Sequence, residues 1–292
     1  MRYAFYIGCT VPVKALKYEV STRNLAKGLG IELVDIPEFG CCGYPVKSMD
    51  MFAALLMSAR NLALAEEKGM DIIGICIGCM ATLSEAKKYL EDDNLRNTIN
   101  QKLRELGIRE YTGKVNIKHL ARFLYEDYGL SSIKEKIIKP LESLKFGVHY
   151  GCHYMKPGHA YDYFDNPSKP VTLDILTDIT GAKTIDYQNK NQCCGLTIMG
   201  TAKDLSFRLA SEKLVCLSGI DIDAMLLACP SCCIAYENNQ RLVGEKTGKK
   251  FNLPVLYFTQ VIGLAIGLDE KDLGFEFNRV RADRIIEKLG PY

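Results

Sequence analysis

Net charge is the first thing this sequence lacks. Its 37 Lys and Arg stand against 35 Asp and Glu, leaving +2 at neutral pH, so there is no electrostatic footprint for duplex nucleic acid or an anionic membrane surface. Long apolar runs are missing too. The longest uncharged apolar stretch, residues 224–236, has 13 residues and contains Pro230, short of the roughly 18 to 20 needed for a membrane span. Tryptophan is absent and proline numbers only 10 against 48% hydrophobic residues, a composition that excludes extended disorder. No C-x2-C-x2-C-x3-C-P ferredoxin run and no G-x-G-x-x-G nucleotide fingerprint occurs. The opening segment, residues 1–9, has the outline of a signal peptide ending at Cys9. Its apolar part is too short and no cleavage site is marked, so the expected compartment is a reducing cytoplasm.

What the sequence has is cysteine, 12 in 292 residues. That length suggests about two domains at roughly 150 residues each. The cysteines are too many for packing and too sparse for a secreted disulfide scaffold. Their spacing forms a repeat: Cys9, Cys41-Cys42-Gly43 and Cys76-x-x-Cys79 in the first half, Cys152, Cys193-Cys194-Gly195 and Cys229-x-x-Cys232 in the second, with Cys216 and Cys233 left over. The step from the first cysteine to the pair is 32 residues in one half and 41 in the other; the step from the pair to the C-x-x-C is 34 and 35. Flanking sequence repeats as well, residues 3–9 matching 146–152 in type. The boundary falls near Pro140, giving domains 1–140 and 141–292.

Short β-type runs at residues 3–7, 31–36, 71–75, 146–150, 183–187 and 224–227 alternate with helical patterns. The pattern over 48–68 has Ser48 or Asp50 as N-cap and Gly69 beyond its end, and 202–217 with Gly219 copies it. The fold class expected is α/β, two pseudo-symmetric Rossmann-like units with mostly parallel sheets. Each cysteine group follows a strand. Strand C-terminal ends share one edge of an open parallel sheet, so residues about 70 apart would converge there.

Cysteines in a reducing compartment point to metal or redox chemistry. Zinc suits paired C-x-x-C units but takes four ligands, whereas each half offers five thiolates. Iron with inorganic sulfide matches a soft, all-sulfur set better, and a fifth ligand implies an open or irregular cluster. Gly43 and Gly195 would let the chain turn tightly enough to aim both neighbours inward. A thioredoxin-like dithiol accounts for each C-x-x-C but leaves the other cysteines without a role.

The double pattern resembles the tandem cysteine-rich CCG domain, and a two-copy chain of this length with nothing fused to it is similar to the B subunits of the heterodisulfide reductases of methanogenic archaea. The resemblance spans nearly the whole chain. It implies two noncubane [4Fe-4S] clusters, one held by Cys9, Cys41, Cys42, Cys76 and Cys79, the other by Cys152, Cys193, Cys194, Cys229 and Cys232. It also implies reduction of the coenzyme M–coenzyme B mixed disulfide to two thiols. The implied partners are a ferredoxin-like C subunit, a flavin-containing A subunit, and a hydrogenase or formate dehydrogenase module. Cys232-Cys233 stands where the first half has Cys79-Met80, leaving the choice of ligand open. The alternative is an electron-transfer iron–sulfur subunit of a flavin-dependent dehydrogenase for lactate, glycolate, glycerol phosphate or succinate.

Other residues complete the expectations. His153, next to Cys152, is the candidate proton donor. Lys14 and Lys156 are candidates for binding anionic groups of the substrate. Residues 154–170 would line the substrate cleft as the main insertion of the second half. Residues 262–268 would form a packed helix facing a partner subunit. His149 is expected in the core, Cys216 in packing, and Cys233 in packing or behind the ligands.

Overall fold

The computed structural model describes residues 1–290. Two four-stranded sheets form, each fully parallel. The first has the order β2-β1-β3-β4, with β1 at Arg2–Tyr6, β2 at Glu32–Asp35, β3 at Ile72–Gly74 and β4 at Ile117–His119. The second repeats it as β6-β5-β7-β8, with β5 at Lys145–His149, β6 at Lys183–Thr184, β7 at Ala224–Leu227 and β8 at Val255–Tyr257. Register is set by pairs such as Phe5 with Ile73 and Val148 with Leu226. All four residues of β7 are buried, as expected of a parallel strand covered on both faces. This is why the longest apolar run reads as core: it supplies β7 and the cysteine turn that follows. Burying one such leucine contributes about 1.5–3 kcal/mol.

The helix expected over 48–68 runs Met51–Glu67, with Asp50 as N-cap accepting a hydrogen bond from the Ala53 amide at 2.9 Å. Its copy runs Lys203–Ser218 and stops at Gly219. The helix Asp93–Glu105 has no counterpart in the sequence reading; it carries Ile99 and Leu103 on one buried edge, with Leu95 packed beside them, and is otherwise polar.

The halves meet through the helices Leu16–Gly28 and Phe258–Ala265. Ser21 and Thr259 share a hydrogen bond of 2.7 Å, and the rings of Tyr18 and Tyr257 stack with centroids 3.8 Å apart. Every residue of Phe258–Ala265 is buried. The expectation of a partner-facing helix at 262–268 is therefore corrected: the helical part is core, packed against the other half of its own chain. Lys17, also in this seam, donates to both carboxylate oxygens of Glu237 at 2.8 Å and to the Val255 carbonyl at 2.8 Å.

Candidate metal centre

Strand ends and turns deliver the cysteines to one place. Cys9 follows β1, Cys76 follows β3 and opens the helix Ile77–Tyr89, and Cys41 and Cys42 lie on the loop after β2. The second half repeats this: Cys152 follows β5, and Cys229 precedes the short helix Pro230–Cys233. The Cys-Cys-Gly turns are built alike. The Gly43 amide donates to Cys41 Sγ at 3.5 Å and the Gly195 amide to Cys193 Sγ at 3.4 Å. Both glycines have positive φ, +94° and +76°. A Cβ at Gly43 would stand 2.7 Å from the Ala54 carbonyl oxygen, and one at Gly195 would stand 3.1 Å from the Ser206 backbone. The turn thus needs glycine twice over, for its dihedrals and for the helix pressed against it.

One cavity of about 100 Å³ is lined by Cys9, Cys42, Cys76 and Cys79 from the first half and by Cys152, Cys193, Cys194, Cys229 and Cys232 from the second. Ile77, Tyr44, Pro45, Thr197 and His153 form part of the remaining wall. A wider groove of about 740 Å³ beside Arg241, Lys249 and Arg279 contains no cysteine or histidine. Of the five repeated sulfurs in each half three are buried (Cys42, Cys76, Cys79; Cys194, Cys229, Cys232), while Cys152, Cys193 and Cys41, which does not line the cavity, are half-buried and Cys9 is exposed.

The thiols hold one another's protons. Hydrogen bonding among Cys42, Cys76 and Cys79 lowers the first two and pushes Cys79 up. Hydrogen bonding with Cys152 lowers Cys193, while Cys152, Cys194 and Cys232 are raised. So many sulfurs in one place cannot all be anions on their own. Iron, which binds thiolates, removes that conflict, and five soft donors per half fit iron–sulfur ligation. Among the described residues, no group of three or more His, Cys, Asp or Glu side chains is arranged to hold a metal ion; what the cysteines share is a wall. The Tyr236 hydroxyl is buried without a hydrogen-bond partner, and its pKa is raised by burial and by Cys232 and Cys194 nearby.

His153 Nε2 lies 3.0 Å from the Tyr44 hydroxyl, joining the loop after Cys152 to the loop after Cys42. Burial lowers the His153 pKa, so the ring is neutral at neutral pH. Tyr44 had no signal in the sequence beyond its place after a Cys-Cys-Gly. His149 is in the core as expected, but its Nε2 also lies 3.2 Å from Cys232 Sγ. Its Nδ1 is 3.1 Å from Nζ of the fully buried Lys213. Burial lowers the Lys213 pKa to about 8, and the surrounding cysteines oppose the shift.

Lys14 and Lys156 are exposed and neither lines the cavity. Residues 154–170 do not line it either, which corrects the cleft expectation. That loop crosses to the first half, where Asp162 pairs with Lys88 at 3.0 Å and Arg122 lies over the Phe164 ring at 4.6 Å. An extra loop of tyrosines and a phenylalanine had an apolar surface to cover, and the neighbouring half supplied it. Cys233 is buried and reaches Glu237 at 3.5 Å without lining the cavity, and Cys216 donates to the Gln188 carbonyl at 3.3 Å.

Comparison with known proteins agrees with this architecture. The model of the CCG cysteine-rich domain matches twice, over residues 3–84 and 146–235. The chain is 34% identical to the B subunit of the ferredoxin:CoB-CoM heterodisulfide reductase of Methanosarcina mazei, covering 99% of this chain and 97% of that protein. It is 28% identical to the 8-methylmenaquinol:fumarate reductase membrane anchor subunit of Wolinella succinogenes, covering 97% of this chain and 98% of that one. A crystal structure of a hypothetical protein from Helicobacter pylori shares the fold, with a TM-score of 0.75 at 16% identity, over 96% of this chain and 52% of that one. No helix among the described residues is long and apolar enough to cross a membrane. With two CCG domains in tandem and this likeness along its full length, the chain belongs to the family of heterodisulfide reductase B subunits.

Proposed function

We propose that this chain is the disulfide-reducing subunit of a cytoplasmic heterodisulfide reductase complex, acting on the coenzyme M–coenzyme B mixed disulfide. The single observation that carries the reading is that cysteines of both halves line one cavity. In this reading Cys9, Cys41, Cys42, Cys76 and Cys79 hold one noncubane [4Fe-4S] cluster within residues 1–140. Cys152, Cys193, Cys194, Cys229 and Cys232 hold the other within 141–292. When bound, the clusters supply one electron each to the two sulfurs of a disulfide.

The protein's own residues do the rest. Ile77, Tyr44 and Pro45 form part of the cavity wall beside the sulfurs. The His153–Tyr44 pair, tied across the halves, holds a proton beside the place where a thiolate leaves. The balance is one disulfide, two electrons and two protons giving two thiols. The electrons come from outside the chain, from a ferredoxin-like C subunit. Behind it stand a flavin-containing A subunit, then a hydrogenase or formate dehydrogenase module.

The test is anaerobic iron and acid-labile sulfide analysis, with EPR after oxidation in the presence of coenzyme M thiol. About eight irons with sulfide per chain and a paramagnetic signal that requires the thiol are expected from two four-iron clusters meeting substrate sulfur. The likeness to a fumarate reductase subunit favours a second reading, an electron-transfer subunit of a flavin-dependent dehydrogenase. It predicts clusters whose signals ignore the thiol. Zinc without sulfide would overturn both.

A further inference from the structure

Duplication makes each half a control for the other, and the halves differ behind their last cysteines. In the second half His149, the final residue of β5, stands three residues before Cys152, and Lys213 stands eighteen after Gly195. At the matching positions of the first half are Tyr6, three before Cys9, and Asn61, eighteen after Gly43. The donors are used differently. Tyr6 has one proton and donates it to the Gly40 carbonyl at 2.6 Å, while its oxygen faces Asn61 Nδ2 at 3.4 Å. Nothing is donated from this pair to Cys79.

The second half does the opposite. Lys213 Nζ reaches the Lys190 carbonyl at 2.8 Å, the Asn189 carbonyl, and His149 Nδ1 at 3.1 Å. An ammonium group has three donors and no acceptor, so the Nδ1 it faces must accept. The ring proton is then on Nε2, which points at Cys232 Sγ from 3.2 Å. A metal-bound cysteine sulfur can only accept, so the same tautomer is required from that end. The Lys190 carbonyl, 3.3 Å from Nδ1, is bridged to it by the same ammonium.

We infer that Lys213, by fixing the His149 tautomer, holds a hydrogen bond on Cys232 that makes the second-half cluster the easier of the two to reduce. This rests on the reading that each half holds a cluster. A donor and a buried cation next to one thiolate withdraw negative charge from it, and hydrogen bonds to ligand sulfur raise reduction potential. The first half, with its neutral Tyr6–Asn61 pair, is left at the lower potential. His149 and Lys213 are positioning residues, since neither lines the cavity. The consequence is an order of electron entry: the incoming electron settles first on the second half, and two otherwise similar sites become inequivalent.

The test is an anaerobic redox titration of the cluster-loaded chain, followed by EPR and visible absorption. Wild type should titrate in two separate waves. His149→Tyr with Lys213→Asn, which installs the first half's residues in the second, should lower the upper wave toward the lower one and leave the lower one in place. Lys213→Gln keeps a donor of similar reach and removes the charge; it should shift the same wave in the same direction by less, and it carries the test if the double exchange reduces iron content. At full iron content, an unmoved upper wave, or equal movement of both, would overturn this inference while leaving the proposed function standing. A chain without iron and sulfide would overturn both.

Discussion

Replacing Lys17 with methionine isolates the contact that fastens the two halves together beside the cysteines. Lys17 is 3% exposed and Glu237 4%, and the ammonium meets both carboxylate oxygens and the Val255 carbonyl, each at 2.8 Å. Methionine fills similar space but leaves Glu237 buried without a counter-charge. Breaking a buried pair this way costs about 3–5 kcal/mol, a large part of the roughly 5–15 kcal/mol that holds a domain folded. Glu237→Met strands the lysine instead and should cost as much.

Changing both at once removes both charges and leaves few polar groups without a partner. Asn278 already donates to the Val255 carbonyl at 3.2 Å as well as to Glu237 at 3.4 Å, so the pair left behind satisfies itself. The double variant should lose no more than about 2 kcal/mol, giving a coupling energy of at least about 4 kcal/mol. The assay is urea unfolding of the four proteins by far-UV circular dichroism. Iron retention can be read in parallel, because Glu237 lies in the π-helical turn directly after the helix Pro230–Cys233. A loss below about 1 kcal/mol in Lys17→Met, or a double variant costing the sum of the singles, would refute the reasoning.

Four further outcomes follow from the same geometry. Gly43→Ala should cost about 1–3 kcal/mol from its dihedral alone, plus the clash with the Ala54 carbonyl, and iron analysis should show the first cluster lost before the second. Cys233→Ala should keep its full iron, whereas Cys232→Ala should lose about half, because only Cys232 lines the cavity. Tyr44→Phe and His153→Gln should each lower turnover about 100-fold if the pair supplies the proton, with iron content unchanged. Finally, burial drops the His119 pKa from 6.5 to about 4. Below pH 6.5 the unfolded chain takes up a proton that the folded chain refuses, so stability falls as the pH drops from 6.5 toward 4, by a total of about 3 kcal/mol. Urea titrations across that range should show the slope in wild type and a reduced one in His119→Gln.

Much of the molecule was written locally and could be read locally. Strands β1, β3, β5 and β7 stand out as apolar runs, and Asp50 and Gly69 bracket their helix because capping and chain reversal are decided within a few residues. The cysteine grammar also survives as plain spacing, and with strand ends sharing an edge it put five sulfurs of each half in one neighbourhood. The strands β4 and β8 were not among the β-type runs legible in the sequence. Tertiary structure alone decided that nine of the ten repeated cysteines, all but Cys41, line one cavity, that Tyr44 meets His153 across 109 residues, and that His149 meets Cys232 across 83. It also decided that residues 154–170 cover the first half and that the helix Phe258–Ala265 is interior. The physical reason is common to all of these. Periodicity and spacing record which way a side chain faces from its own element, whereas hydrogen bonds and burial across the seam depend on which second surface arrives there, and that is fixed only when the two sheets pack.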